Sequence, residues 1–166
     1  TGAIIATTLA LGWRVSEVVD LYFKLLPAIF ERSQVPGPLR VLIPAFKNKA
    51  LTQALNEYLG DRMLKSEDLQ TGLAIHAKRI DTGSAWVVTN HPLGVFYDPA
   101  SDSGVFPNKR YRLVDLVLAS AAAPTFFDEI TIDIEFDDKR RPIQKGYFVD
   151  GAVSANNNPS LQLFML

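Results

Sequence analysis

Residues 147–159 read YFVDGAVSANNNP, and this stretch holds the most informative pattern in the chain. An apolar strand is predicted to end at Asp150, and Pro159 after three asparagines suits the first turn of a helix. In open α/β sheets, functional groups collect where strands reach their carboxyl edge. A carboxylate there can accept a proton or orient a nucleophile. The alternative is a simple turn, because Asp-Gly is a common turn pair and Asn is common in loops.

Helical and strand patterns alternate on both sides of this stretch. Apolar residues at helical spacing predict helices over residues 2–11, from 16 onward, 50–59 and 113–123, with a further helix in the C-terminal SLQLFML. Pro27 predicts a kink or an early end of the second helix. Strand patterns cover residues 39–45, 73–79, 85–89 and 130–136. This alternation predicts a layered α/β domain, and the mixture of hairpin and crossover connections argues against a purely doubly wound sheet.

Residues 119–127 read ASAAAPTFF, where small residues allow a helix to approach a neighbouring backbone and Pro124 ends it. Ser120 is a nucleophile candidate in this block. It lacks the flanking glycines of a nucleophile elbow and a neighbouring base, so we interpret it as structural. The chain begins Thr1-Gly2-Ala3, and a glycine two residues after a serine is the second half of a G-x-S-x-G elbow.

These pieces, in their order and approximate spacing, resemble the patatin-like phospholipase family. Its elbow, of the Gly-Thr-Ser-Thr-Gly kind, would be entered at Thr1-Gly2. The segment LNEYLGDRML at residues 55–64 looks like the family's Leu…Gly-Asp…Leu stretch. The family's Ala-Ser/Thr-x-Ala-x-Pro-x-x-Phe block is similar to residues 119–127, which include Pro124.

The family's Asp-Gly-Gly/Ala box and the Asn-Pro pair that follows it are similar to the stretch quoted first. The matching residues are Asp150, Gly151, Ala152, Asn158 and Pro159. This block and the Pro124 block are specific as a pair at their observed separation. Together they favour a functional Asp150 over the turn interpretation.

The resemblance implies a three-layer α/β/α domain with a mixed sheet, and a lipid acyl hydrolase that uses a serine–aspartate dyad. The serine would attack the ester carbonyl of a phospholipid or another acyl lipid, and an acyl-enzyme would form and hydrolyse. Asp150 would be the proton acceptor of the dyad. The resemblance implies no metal and no organic cofactor. His76 and His91 have no part in such a dyad, and we interpret both as structural or solvated.

The departures from the family pattern concern the start of the chain. The nucleophilic serine would stand immediately before Thr1, and the strands and glycine-rich oxyanion segment of the family would also precede it. We therefore interpret residues 1–166 as one partial domain truncated at both ends. We expect this segment alone not to hydrolyse esters, because without the serine the covalent route is lost.

Composition and charge argue against several classes of protein. The net charge of −1 gives no basic field for nucleic acid, and the absence of cysteine excludes disulfides, thiol nucleophiles and Cys-based zinc sites. The chain has no signal-peptide pattern, so we expect a cytoplasmic protein. Peripheral membrane contact could come from the basic residues 139–145 or from aromatic residues near 96–106. The alternative for the basic residues is a solvated turn, and the alternative for the aromatic residues is local packing. The oligomeric state has no sequence signal.

Two alternative interpretations of the chain remain open at this point. One is a non-catalytic lipid-binding or interaction module of the same fold, which the absent serine favours and Asp150 argues against. The other is an unrelated α/β domain that carries turn motifs by chance.

Overall fold

The computed structural model describes residues 2–29, 48–100, 103, 105–136 and 142–165. The helices in these ranges are α1 Gly2–Ala10, α2 Val15–Ile29, α3 Asn48–Leu59, α4 Leu113–Ala121 and α5 Ser160–Met165. The strands are β1 Ala74–Arg79, β2 Ala85–Thr89, β3 Ile130–Phe136 and β4 Pro142–Asp150. Short 3-10 helices span Asn108–Arg110, Gly151–Val153 and Ala155–Asn157. The strand predicted over residues 39–45 lies outside the described residues.

The four strands form one sheet in the order β2-β1-β4-β3, and every pairing between these described strands is antiparallel. The α/β class is confirmed. The parallel pairs that a mixed sheet requires are not found among the described strands. Two of the three pairings have a local reason, because β1 and β2 are joined by five residues and β3 and β4 by a similar short connection. Such short connections produce antiparallel hairpins.

One face of the sheet carries the core. Phe148 is fully buried on this face, and Ile75, Ala77, Val88 and Ile132 lie beside it by register and are also buried. Helix α4 packs over β1, β4 and β3, while α1 and α3 pack against α4. Seven of the nine residues of α4 are buried, which matches the prediction of an apolar helix in the interior.

The ends of the elements follow local chemistry. Gly12 has a φ of 81° just after α1, a left-handed conformation that glycine adopts without a steric cost. Helix α2 continues through Pro27 to Ile29, so Pro27 does not end it. Helix α4 ends at Ala121, three residues before Pro124. Strand β4 begins at Pro142, earlier than the apolar residues near its end indicated.

Arg112 joins α3 to the start of α4. Its Nη2 donates to Asn56 Oδ1 at 2.9 Å and to the Gly60 carbonyl at 3.4 Å. The same nitrogen lies 3.1 Å from Asp61 Oδ1. The Gly60-Asp61 pair from the middle motif therefore anchors the helix that leads to the 119–127 block. Within the described ranges, no helix is long and apolar enough to cross a membrane.

Candidate active site

Asp150 is the last residue of β4, and hydrogen bonds hold its backbone and one carboxylate oxygen. Its N–H donates to the Ala122 carbonyl at 2.9 Å, which ties the strand end to the end of α4. Its Oδ1 accepts from the Ala152 N–H at 2.8 Å and so caps the 3-10 helix Gly151–Val153. Among the described residues Oδ2 has no hydrogen-bond partner. The half-buried carboxylate is thus fixed in place with one oxygen available to accept a proton.

Gly151 allows β1 and the chain after β4 to approach each other closely. A Cβ at this position would lie 2.6 Å from the His76 carbonyl oxygen and 2.9 Å from its carbonyl carbon. Both distances are far inside ordinary contact, which for carbon atoms is about 3.5–4.0 Å. Glycine therefore follows Asp150 because a side chain does not fit against β1.

The Asn-Pro pair organises the start of α5. Asn158 Oδ1 accepts from the Ser160 N–H at 3.2 Å and from the Ser160 hydroxyl at 2.7 Å. Pro159 lies immediately before the helix, where its fixed φ and missing N–H are tolerated. These two residues therefore shape the start of α5, and among the described residues none of their hydrogen bonds indicates a role in chemistry.

A cavity of about 430 Å³ joins these elements to the start of α1. It brings together residues far apart in the sequence. Its walls are Gly2, Ala3, Ala6, Ala74, Ile75, His76, Ser120, Asp150, Gly151, Ala152, Asn157, Pro159 and Leu163. Asp150 therefore shares one cavity with the N-terminal turn of α1. Thr1 lies outside the described residues.

A strained turn follows α4. Thr125 has a φ of 70°, which is uncommon for a β-branched residue. The Phe126 N–H donates to the Ala123 carbonyl at 3.1 Å, so Pro124 and Thr125 are the two central residues of a turn. A positive φ at the second of them is the geometry of a type II turn, which also favours proline at the first. Pro124 thus shapes the loop beside the Asp150 anchor without lining the cavity.

Two side chains that we interpreted as structural line this cavity. Ser120 is half-buried near the end of α4 and has no strained elbow geometry. His76 is 8% exposed, and neither ring nitrogen has a hydrogen-bond partner among the described residues. Burial lowers the pKa of the His76 imidazole, which favours the neutral ring. His91 is exposed and does not line this cavity. Its Nδ1 accepts from the Leu93 N–H at 3.2 Å.

The small-residue face of α1 is a part of this site that the sequence motifs did not indicate. Ala3 and Ala6 leave room between α1 and β1, and alanine at helical spacing is the only signal that could have indicated it. The described residues contain no cluster of three or more His, Cys, Asp or Glu side chains that could hold a metal. The arrangement is a half-buried carboxylate that lines the same cavity as a helix N-terminus, where partial positive charge favours a developing anion.

These features define an α/β domain with a carboxylate at a strand end and a helix start beside it. A family model described as patatin-like phospholipase matches residues 1–163. The chain belongs to the patatin-like phospholipase family, as its motifs predicted.

Two curated relatives are similar to nearly the whole chain. A cGAMP-activated phospholipase of Vibrio cholerae serotype O1 is 25% identical over 165 residues, which cover 94% of this chain and 41% of that protein. A cUMP-AMP-activated phospholipase of Escherichia coli is 29% identical over 165 residues, which cover 97% of this chain and 44% of that protein. The chain therefore spans less than half the length of either relative.

Proposed function

We propose that this chain is part of a phospholipase that hydrolyses acyl esters through a serine–aspartate dyad, with Asp150 as the proton acceptor. The observation that supports it is the cavity that Asp150 shares with the start of α1. The nucleophile would be a serine immediately before Thr1, as the resemblance to the family's elbow implies. Residues 1–166 alone would then not turn over substrate.

The geometry supports different roles for the two sides of the cavity, proton acceptance on one side and stabilisation of negative charge on the other. On one side Asp150 keeps Oδ2 available while Oδ1 is held by the Ala152 N–H. On the other side the N-terminal turn of α1 offers backbone N–H groups that have no partner within the helix. A serine at that helix start would face the carboxylate, and the helix would favour the oxyanion of the tetrahedral intermediate.

The substrate class follows from the family and from the walls of the cavity. Ala3, Ala6, Ile75 and Leu163 give it apolar surface, which suits an acyl chain next to the ester. Peripheral contact with a membrane is part of the same proposal, because a phospholipid substrate resides in a bilayer. The cytoplasmic location stays a prediction from the sequence.

The test uses the longest natural form of the protein that carries this segment. A fluorophosphonate should add one label to the serine before Thr1, and phospholipid vesicles should release fatty acid. The assay is run with and without cGAMP and cUMP-AMP, because the names of both relatives give a nucleotide activator. Asp150→Asn should lower turnover by about 10²–10⁴-fold, the usual contribution of a positioned acid or base.

Two matched variants separate this proposal from its alternatives. Asp128→Asn changes an exposed carboxylate that does not line the cavity, and it should retain activity. Ser120→Ala should retain both the label and activity; if it loses the label, Ser120 is the nucleophile and the proposed dyad is wrong. A protein that binds vesicles but takes no label and releases no fatty acid under any of these conditions would be a lipid-binding module.

A further inference from the structure

His76 lies in the wall of the cavity that contains Asp150, and the dyad as proposed above gives it no role. It is the third residue of β1 and lines the same cavity of about 430 Å³. The next residue along β1, Ala77, pairs with Asp150 in the register of the sheet. His76 therefore belongs to the part of β1 that is closest to the candidate proton acceptor.

Both ring nitrogens of His76 lack a hydrogen-bond partner. The residue is only 8% exposed, and within the described ranges neither Nδ1 nor Nε2 has a donor or acceptor in reach. Buried polar side-chain atoms are hydrogen-bonded in the large majority of cases, either to protein or to ordered water. A histidine that served packing alone would be paired in this way. The bare imidazole indicates a partner that comes from the cavity.

Gly151 leaves space beside the His76 side chain. A Cβ at position 151 would lie 3.2 Å from the His76 Cβ, in addition to its collision with the carbonyl group of the same residue. Gly151 therefore stands directly across from His76, immediately after Asp150 in the chain. Because glycine has no side chain, nothing from position 151 separates the imidazole from the cavity.

The cavity thus offers two hydrogen-bond acceptors to one small molecule. Asp150 Oδ2 has no hydrogen-bond partner among the described residues, whereas Oδ1 accepts from the Ala152 N–H. Burial lowers the pKa of the His76 imidazole and favours the neutral ring, which has one acceptor nitrogen. A water molecule has two O–H groups to donate and takes up about 30 Å³. The cavity has room for it next to an ester.

We propose that His76 positions the water that hydrolyses the acyl-enzyme, by accepting one O–H of this water while Asp150 Oδ2 accepts the other. This inference rests on the proposed function. The water oxygen bonds to the acyl carbon as its proton passes to Asp150, and a tetrahedral intermediate forms. The bond from that carbon to the serine oxygen then breaks, Asp150 returns the proton to the serine oxygen, and the fatty acid leaves.

His76 neither gains nor loses a proton in this sequence, so it is a positioning residue. Two acceptors fix both O–H groups of the water and leave a lone pair of its oxygen for the acyl carbon. The first half of the reaction, the attack of the serine on the ester, uses no water. Loss of the imidazole should therefore slow deacylation and leave acylation unchanged, which a general disturbance of the fold would not do.

The test measures the two half-reactions separately in the longest natural form of the protein that carries this segment. The rate of fluorophosphonate labelling reports on the serine. Intact mass of samples quenched during turnover of p-nitrophenyl butyrate gives the amount and the decay of the acyl-enzyme. His76→Phe should label at the wild-type rate and accumulate acyl-enzyme. Its deacylation should be about tenfold to a hundredfold slower, the usual effect of misplacing a reacting group. Hydroxylamine, a stronger nucleophile than water, should restore release of the acyl group.

Two variants complete the comparison. His76→Gln keeps an acceptor oxygen, so its deacylation should be slower than that of the wild type and faster than that of His76→Phe. His91→Phe makes the same change at a histidine outside the cavity and should behave like the wild type. If His76→Phe gives no folded circular dichroism spectrum, the decision rests on His76→Gln.

The outcomes separate this inference from the proposed function. If the wild type takes no label and forms no acyl-enzyme, the proposed function is wrong and the role of His76 falls with it. If the wild type labels and turns over while the folded His76 variants deacylate at its rate, only the role of His76 is wrong. Equal losses in labelling and in deacylation would also overturn it, because they identify His76 as a purely structural residue.

Discussion

Replacing Gly151 by alanine tests the close approach that places Asp150. The added Cβ would lie 2.6 Å from the His76 carbonyl oxygen and 2.9 Å from the carbonyl carbon. Both atoms belong to the backbone of β1, which pairs with β2 and β4 and has little freedom to move. The methyl group therefore has to displace the segment that begins at Asp150.

The expected magnitude follows from this geometry. Reaching an ordinary contact distance requires a displacement of about 0.5–1 Å, and inserting one extra carbon into a packed site typically costs about 1–3 kcal/mol. With a urea dependence of about 2 kcal/mol per M, the midpoint of unfolding should fall by about 1 M. A misplacement of about 1 Å can reduce an enzyme's rate by about 10²-fold, so turnover should fall more than stability alone explains.

Urea unfolding of the full chain, followed by circular dichroism, measures the stability change. Gly72→Ala is the matched control, because a Cβ there would meet nothing within 4 Å and the residue has no positive φ. This control should be neutral or stabilising by about 0.4–1 kcal/mol. If Gly151→Ala unfolds at the same urea concentration as Gly72→Ala, the steric account of the Asp-Gly pair is wrong.

Two further predictions concern strain and burial near the site. Thr125→Gly should stabilise the fold by about 0.5–1 kcal/mol in the same unfolding assay, because the strain of a left-handed threonine exceeds the entropy cost of glycine. An unchanged or lower urea midpoint would contradict the interpretation that the φ of 70° is strained. Burial lowers the pKa of His76, so the unfolded chain binds a proton at higher pH than the folded chain does. The free energy of unfolding should therefore decrease as pH falls below about 6.5, the ordinary histidine value. His76→Phe should remove that part of the pH dependence, and the exposed His91→Asn should retain it.

The elements that sequence patterns predicted well are those whose periodicity and end signals agree. Helix α3 was predicted over 50–59 and spans Asn48–Leu59, with Gly60 at a φ of 58° just after it. Strands β1, β2 and β3 also lie where their alternation placed them. In each case local propensity and burial favour the same structure, so tertiary context has nothing to override.

The errors arose where a local signal met tertiary packing. The antiparallel pairing of β4 with β1 is set by contacts between residues far apart in the sequence, which no single segment encodes. Strand β4 extends back to Pro142 through residues that are mostly exposed, so burial left no pattern in its first half. This first half is a strand because it pairs with β3, and its hydrophobic pattern does not indicate that pairing.

The candidate site shows why one motif needed another. Asp150 followed by glycine is a turn pair on local grounds, and only its combination with the 119–127 block favoured a functional role. The structure joins the two blocks physically, since the Asp150 N–H donates to the Ala122 carbonyl. It also explains why residue 151 is a glycine without invoking a turn, because a side chain there would collide with the backbone of His76. Motif pairs are informative here because each block fixes the position of the other, and Asp150 stands where they meet.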